Sequence, residues 1–268
     1  MIIDHPAPGS EPHLRRLWQN TFGDSEAFLD DFFRTAYSSA RCLCVWKKEK
    51  IVAAVYWFGC ICEKKPVAYV YALAVDAGYR GQGIGTKLME KAHAVLEAQG
   101  YTGVLLVPQE ERLWELYARL GYVQGPDILE WACHAANPNA YVKPLDAPSY
   151  AAARRSYLPE GGVVQEGENL RFLQTQAQFW AGEDCILAAR WEENRLICLE
   201  ILGNLQAAPG ILSTLRCSEG VFRAFAPLVH EVSGVQHQAE PGCRPFSMYR
   251  PLGPTPVPMP TYFAFAFD

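Results

Sequence analysis

Arg80-Gly81-Gln82-Gly83-Ile84-Gly85 constrains this 268-residue chain more than any other stretch. It follows an apolar run at 67–75 and opens an amphipathic segment. Three glycines in five residues remove the β-carbons that would keep a ligand off the backbone. At a strand-to-helix turn they leave several N–H groups pointing outward at the positive end of a helix dipole. Such a turn seats a phosphate or diphosphate, and Arg80 adds a planar cation suited to it. The plainer alternative is a glycine-rich turn capping a core helix. Spacing excludes two common phosphate motifs. A dinucleotide fingerprint needs Gly-x-Gly-x-x-Gly, and its third glycine, counted from Gly81, falls on Thr86. A P-loop ends in Gly-Lys-Ser/Thr, whereas Lys87 lies between Thr86 and Leu88.

Around the loop the apolar pattern reads as strand (67–75), loop (76–83), helix (84–99), strand (102–107) and helix (about 109–120), closed by Gly121-Tyr122. Arg80-x-x-Gly83-x-Gly85, taken with Leu116-Tyr117-Ala118-Arg119-Leu120-Gly121-Tyr122, resembles two motifs of the GNAT N-acetyltransferases. These are the Arg/Gln-x-x-Gly-x-Gly/Ala acyl-CoA loop and the Leu-Tyr-x-x-x-Gly-Phe end of the following helix. The resemblance is strong over 67–123 and rests on element order alone over 1–66.

The resemblance implies an α/β (mixed α+β) fold: a central, mostly antiparallel sheet with splayed strands, flanked by helices. It implies acetyl-CoA as cosubstrate. The pantetheine arm would lie along the backbone of Leu73, Ala74 and Val75, and the diphosphate on Arg80, Gly81, Gln82, Gly83, Ile84, Gly85 and Thr86. An N–H near Leu73 would polarise the thioester oxygen. Tyr117 becomes the candidate general acid toward the CoA sulfur. Helical periodicity by itself reads Tyr117 as core; the Leu-Tyr-x-x-x-Gly context is what makes it the acid. The implied activity is transfer of acetyl to a primary amine by direct attack in a ternary complex. The alternative is a non-catalytic acyl-CoA-binding or regulatory module of the same fold.

Two departures bear on the chemistry. Many family members carry an asparagine seven residues before the tyrosine, and here that position is Glu110. The strand before the loop has Tyr69, Tyr71, Leu73 and Val75 on one face and no carboxylate to serve as base. The base therefore stays open among water, Tyr71, Glu26, Asp30 and Asp31. No cysteine lies in either motif, which argues against a ping-pong route.

Half of the residues are hydrophobic, enough for one large domain or two modest ones. Net charge is −5 without a long Lys/Arg run, so neither nucleic acid nor membrane is expected as a partner. The acceptor is expected to be a small-molecule or peptide amine, and a homodimer is left open. The start, Met1-Ile2-Ile3-Asp4-His5, lacks an apolar leader, and the uncharged apolar run 51–62 is too short to span a bilayer. A cytoplasmic protein is expected. Nine scattered cysteines, including Cys42/Cys44 and Cys60/Cys62, read as free buried thiols rather than metal ligands.

Helices are expected at 12–21 and after Asp24 or Ser25, then a three-strand meander at 41–46, 51–62 and 67–75. The lysine-rich turns 47–50 and 63–66 receive no function. A strand at 128–133 is expected to close the sheet. The Pro/Asn-rich stretch 135–148 reads as the boundary between a 1–136 acetyltransferase domain and a 137–268 degenerate GNAT-like or accessory α+β domain. That half shows helices at 149–157 and 168–181, a hairpin at 184–202, a helix at 209–216 and strands at 221–227 and 246–250, but no second glycine loop. A proline-rich stretch at 251–260 reads as a stiff spacer. In the tail, Phe263, Phe265 and Phe267 alternate with Ala264 and Ala266. This reads as a strand that closes the second domain, or docks on the first domain or a partner subunit.

Overall fold

The computed structural model describes residues 1–136, 139–232 and 241–266. The chain divides into two compact units, Met1–Val123 with Met248–Pro258, and Gln124–Ser247 with Met259–Asp268. The break therefore falls at Val123 rather than in the 135–148 stretch, and the chain recrosses twice near its end. No helix among the described residues is long and apolar enough to cross a membrane.

The first unit opens with β1 (Ile2–Asp4), α1 (Glu11–Phe22) and α2 (Glu26–Thr35). α1 stops because Gly23 takes φ +78° and its N–H returns to Gln19 O. α2 starts because the Ser25 side chain accepts from Phe28 N. The meander follows as β2 (Cys42–Lys47), β3 (Lys50–Cys62) and β4 (Lys65–Val75). Then come α3 (Ile84–Ala98), β5 (Gly103–Leu106), α4 (Glu111–Arg119) and β6 (Val123–Gln124). The sheet order is β1-β2-β3-β4-β5, then the distant strand Met248–Pro251, then β6. Met248 pairs with Leu106 and Pro251 with Gly103. A β-carbon on Gly103 would lie 2.5 Å from the Tyr249 ring, so only glycine lets this strand approach.

Against one face of the sheet, α1 and α2 bring an aromatic layer. Trp18 meets Phe32 at 4.6 Å and Tyr56 at 5.0 Å, and Phe32 stacks on Tyr71 at 5.9 Å. α3 and α4 cover the other side, where Ile84, Leu88, Met89, Ala92 and Tyr117 join Val45, Val55, Val70 and Leu106 in one core. The proline-rich stretch is packed rather than free. Leu252 and Val257 are buried, and Tyr249 Oη donates to Val257 O at 2.6 Å.

The second unit comprises β7 (Asp127–His134), β8 (Lys143–Leu145), α5 (Ala147–Tyr157), α6 (Glu168–Gln176), β9 (Gln178–Ala181), β10 (Cys185–Glu192), β11 (Arg195–Gly203), α7 (Ala208–Thr214), β12 (Glu219–Phe225) and β13 (Gly242–Pro245); the strand Met248–Pro251 is thus β14. Its sheet runs β13-β7-β12-β11-β10-β9-β8. β7 therefore belongs here, antiparallel to β12, and does not close the first sheet. A strand's own residues state that it pairs but not with whom. The expected helix 168–181 ends at Gln176 and turns into β9.

β11 and β12 pair in parallel from Arg195/Glu219 to Cys198/Phe222 and then part. At that point β11 carries a bulge against β10, with Leu199 skipped between Cys198 and Glu200. The tail reaches both parted strands through Tyr262. The Tyr262 ring meets Phe225 of β12 edge-on at 5.7 Å. Burial, then the nearby Glu200 carboxylate of β11, pushes the Tyr262 pKa well up. The tail is not a strand with one buried face: Tyr262, Phe263, Ala264, Phe265 and Ala266 are all at most 1% exposed. Alternation of large and small apolar residues carries no polar face to leave outside. Phe265 touches Tyr150 at 5.8 Å and Phe179 at 5.9 Å, so the tail packs within the second unit. Phe267 lies outside the described residues.

Beneath the tail, Arg154 of α5 makes a two-pronged pair with Glu200, 2.8 Å from Nε to Oε1 and 2.9 Å from Nη2 to Oε2. Tyr150 Oη donates to the same carboxylate at 2.9 Å. Arg154→Ala leaves Glu200 buried without its counter-charge and is expected to destabilise the unit by about 3–5 kcal/mol. Urea unfolding reads this as a lower midpoint; a midpoint equal to wild type would refute it.

In the first unit, His93 Nε2 and Tyr122 Oη are 2.8 Å apart, both buried. Burial, helped by Arg250, holds the His93 pKa down at about 4. Above pH ~6.5 the imidazole is neutral folded or unfolded, and stability is full. Between pH ~6.5 and ~4 the unfolded chain binds a proton that the folded chain refuses, so stability falls by up to about 3 kcal/mol. Thermal melts of wild type and His93→Gln over this range should diverge; parallel curves would exclude His93 as the cause.

Candidate active site

The site begins with a register slip. β3 and β4 pair from Cys62/Lys65 to Trp57/Val70, then resume at Tyr56/Ala72, leaving Tyr71 as the extra residue on β4. A bulge of this kind bends its strand and raises the local twist. On its other edge β4 runs parallel to β5 only at Ala68, Tyr69 and Val70. β5 ends at Leu106, but β4 continues to Val75. Among the described residues no strand pairs with that edge of β4 beyond Val70. The backbone of Leu73, Ala74 and Val75 thus forms one wall of an open notch.

The loop that follows is fixed by its own side chains. The Asp76 side chain accepts from Gly78 N at 3.0 Å. Lys50 Nζ sits 2.6 Å from Asp76 Oδ2, and this hydrogen-bonded pair holds the Asp76 pKa low. Arg80 Nε donates to Val75 O at 3.0 Å, which ties the guanidinium to the end of β4. Gly81 and Gly83 sit at φ +73° and +71°, a left-handed conformation that favours glycine. Gly83 is the N-cap of α3, and its carbonyl accepts from Lys87 N at 3.1 Å. The N–H groups of Gly81 through Thr86 have no acceptor among the described residues. They form a row, on residues exposed at Gly81 to Gly83, at the start of a 15-residue helix, where an anion is favoured.

Tyr117 lies 6% exposed on α4, edge-on to Tyr122 at 5.7 Å. Burial pushes its pKa up to about 12, so it stays protonated at neutral pH. Leu73 and Val75 pack against the core cluster that contains Tyr117 and Ile84. Glu110 is the N-cap of α4, and its carboxylate is taken by Arg112. Of the candidate bases, Glu26 and Asp30 pair with Arg15, at 3.8 and 2.8 Å, and Asp31 pairs with Arg34. Tyr71 lies at the bulge, 5.3 Å from Phe58. Beside it, Phe32, Tyr37, Tyr56 and Phe58 line a slot with no room for a water molecule.

Sequence reading passes over two groups here. The Tyr56 hydroxyl, on β3 and hidden inside an apolar run, is buried without a hydrogen-bond partner among the described residues. Lys47 and Lys50 reach the loop from the β2–β3 turn, because Ala53 pairs with Val75 and sets the start of β3 beside the end of β4. Only register reveals that neighbourhood.

Residues 11–122 match the acetyltransferase (GNAT) family. No curated protein sequence matches the chain. Among solved structures, a GCN5-related N-acetyltransferase from Kribbella flavida is 17% identical, with a TM-score of 0.71 over 93% of this chain and 70% of that one. A second, from Anabaena variabilis, is 12% identical, with a TM-score of 0.73 over 94% of this chain and 73% of that one. A putative acetyltransferase from Pyrococcus horikoshii is 12% identical and covers 99% of this chain and 92% of its own length, at a TM-score of 0.65. Identities this low speak for the fold, and the fold extends through both units. The domain at residues 11–122, rather less than half of the chain, therefore belongs to the GNAT acetyltransferase family.

Proposed function

We propose that this chain is an acetyl-CoA-dependent N-acetyltransferase that acetylates a primary amine by direct attack in a ternary complex. One observation carries the reading: the edge of β4 beyond Val70 is unpaired where it runs into a row of uncommitted N–H groups. An extended ligand that bears amides at one end and a diphosphate at the other satisfies both. The pantetheine amides bond the Leu73–Val75 backbone as a strand would. The diphosphate sits on Gly81 through Thr86, with Arg80 beside it.

In this arrangement the amine nitrogen attacks the thioester carbonyl, and an N–H near Leu73 stabilises the oxyanion. The C–S bond then breaks and an amide is left. Tyr117 donates a proton to the departing sulfur, and the proton lost by nitrogen balances it. The proton leaves nitrogen to water or Tyr71, because Glu26, Asp30 and Asp31 are committed to Arg15 and Arg34. The second reading is an acyl-CoA-binding module without turnover. It is favoured by the lack of a carboxylate on β4 and by the burial of Tyr117.

Gly83→Glu places a carboxylate in the diphosphate seat and strains a residue at φ +71°. Calorimetry should show acetyl-CoA binding lost while circular dichroism stays native; retained affinity would remove the loop assignment. Tyr117→Phe is expected to lower kcat by about 100-fold on the best amine from a screen, with little change in the acetyl-CoA KM. An unchanged kcat returns Tyr117 to the core.

A further inference from the structure

The 47–50 turn sits against the diphosphate seat. Lys50 is neutralised there by Asp76, at 2.6 Å. Lys47 is not: its ammonium lies 3.4 Å from Gln82 Oε1 and 4.7 Å over the Tyr79 ring, with no carboxylate partner among the described residues. Both contacts are weak. An exposed cation–π contact contributes about 0.5–1 kcal/mol, and the hydrogen bond is long. Beside them opens a groove of about 330 Å³, within the usual range for small-molecule sites. His13, Arg16, Lys47, Lys48 and Tyr79 line it, with Glu49 and Asp76 as its carboxylates. Cations therefore outnumber carboxylates here, in a chain whose net charge is −5.

We propose that this groove takes the ribose 3′-phosphate of acyl-CoA and that Lys47 is the residue that recognises it. The inference rests on the acetyl-CoA reading above. A diphosphate held on the N–H groups of Gly81 through Thr86 brings the ribose 3′-phosphate within a few bonds of Gln82 and Tyr79. A phosphate monoester carries close to two negative charges at neutral pH. Lys47 exchanges an amide oxygen and a ring face for that dianion, and no ion pair has to break first. Lysine suits this role, since it meets phosphate as a mobile point charge. Arg16 and Lys48 add to the local positive field. Lys50 stays on Asp76 and keeps the loop in shape.

The test compares acetyl-CoA with 3′-dephospho-acetyl-CoA by calorimetric titration of wild type, Lys47→Gln and Lys50→Gln. Wild type should bind acetyl-CoA about tenfold more tightly, and the gap should narrow as salt rises. Lys47→Gln should bring the two ligands within about twofold of each other, with the dephospho affinity unchanged. Lys50→Gln should weaken both ligands alike. Equal affinities in wild type, or a preference that survives Lys47→Gln, would overturn the 3′-phosphate assignment and leave the acetyl-CoA reading intact. No binding of either ligand to wild type would overturn both.

Discussion

The site depends on a parallel pair of strands that stops pairing after three residues. β4 and β5 are bonded at Ala68, Tyr69 and Val70, and the very next residue, Tyr71, is the bulge on β4's other edge. One extra residue shifts β4 against β3 and bends it just where its pairing with β5 ends. Backbone polar groups left by such parting must find water or a ligand. The bent strand also sets the direction in which the chain enters Asp76, and so where the glycine turn and the N-terminus of α3 point. The notch and the row of N–H groups without acceptors thus both follow from the way β4 bends at its register slip.

The fold was partly legible in the sequence because some residues can do only one thing. Gly81, Gly83 and Gly85 announce a turn without β-carbons ahead of a helix, and the structure starts α3 at Ile84, directly after Gly83. The stripes Leu14, Leu17, Trp18 and Leu29, Phe32, Phe33 announce two amphipathic helices, and each is buried as its spacing requires. What could not be read was partnership. Nothing in Val70-Tyr71-Ala72 marks an inserted residue, because a bulge belongs to two strands and not one. β7 reads as a strand, yet its partner β12 lies far along the chain. The phenylalanines of the tail alternate as a strand would, but Ala264 and Ala266 are small enough to be buried beside them. Lys47 looks like any lysine in a turn until the pairing of Ala53 with Val75 sets it beside Gln82.

The second unit uses the same device and ends differently. Its parallel pair also parts directly before a bulge, at Cys198 and Leu199. Gly203-Asn204 and a seven-residue helix stand where the first unit has its glycine turn and a helix twice that length. Tyr262 reaches both parted strands, and a charged pair, Arg154 with Glu200, occupies the interior beneath. The Arg154–Glu200 pair holds α5 against the strand that carries the bulge, where water would otherwise have to solvate both charges. Where the first unit leaves a strand edge open, the second has the buried stretch 262–266 beside its parted strands.

β14 gives the molecule an order of assembly. Met248–Pro251 completes the first sheet by pairing with β5, whose residues are synthesised far earlier. Until residue 251 emerges from the ribosome, β5 keeps a raw edge, of the kind that recruits foreign strands. Nearly the whole second unit must be translated within that interval. A gene cut after β7 would therefore not deliver a self-sufficient N-terminal domain: it would deliver a sheet waiting for a strand encoded far downstream.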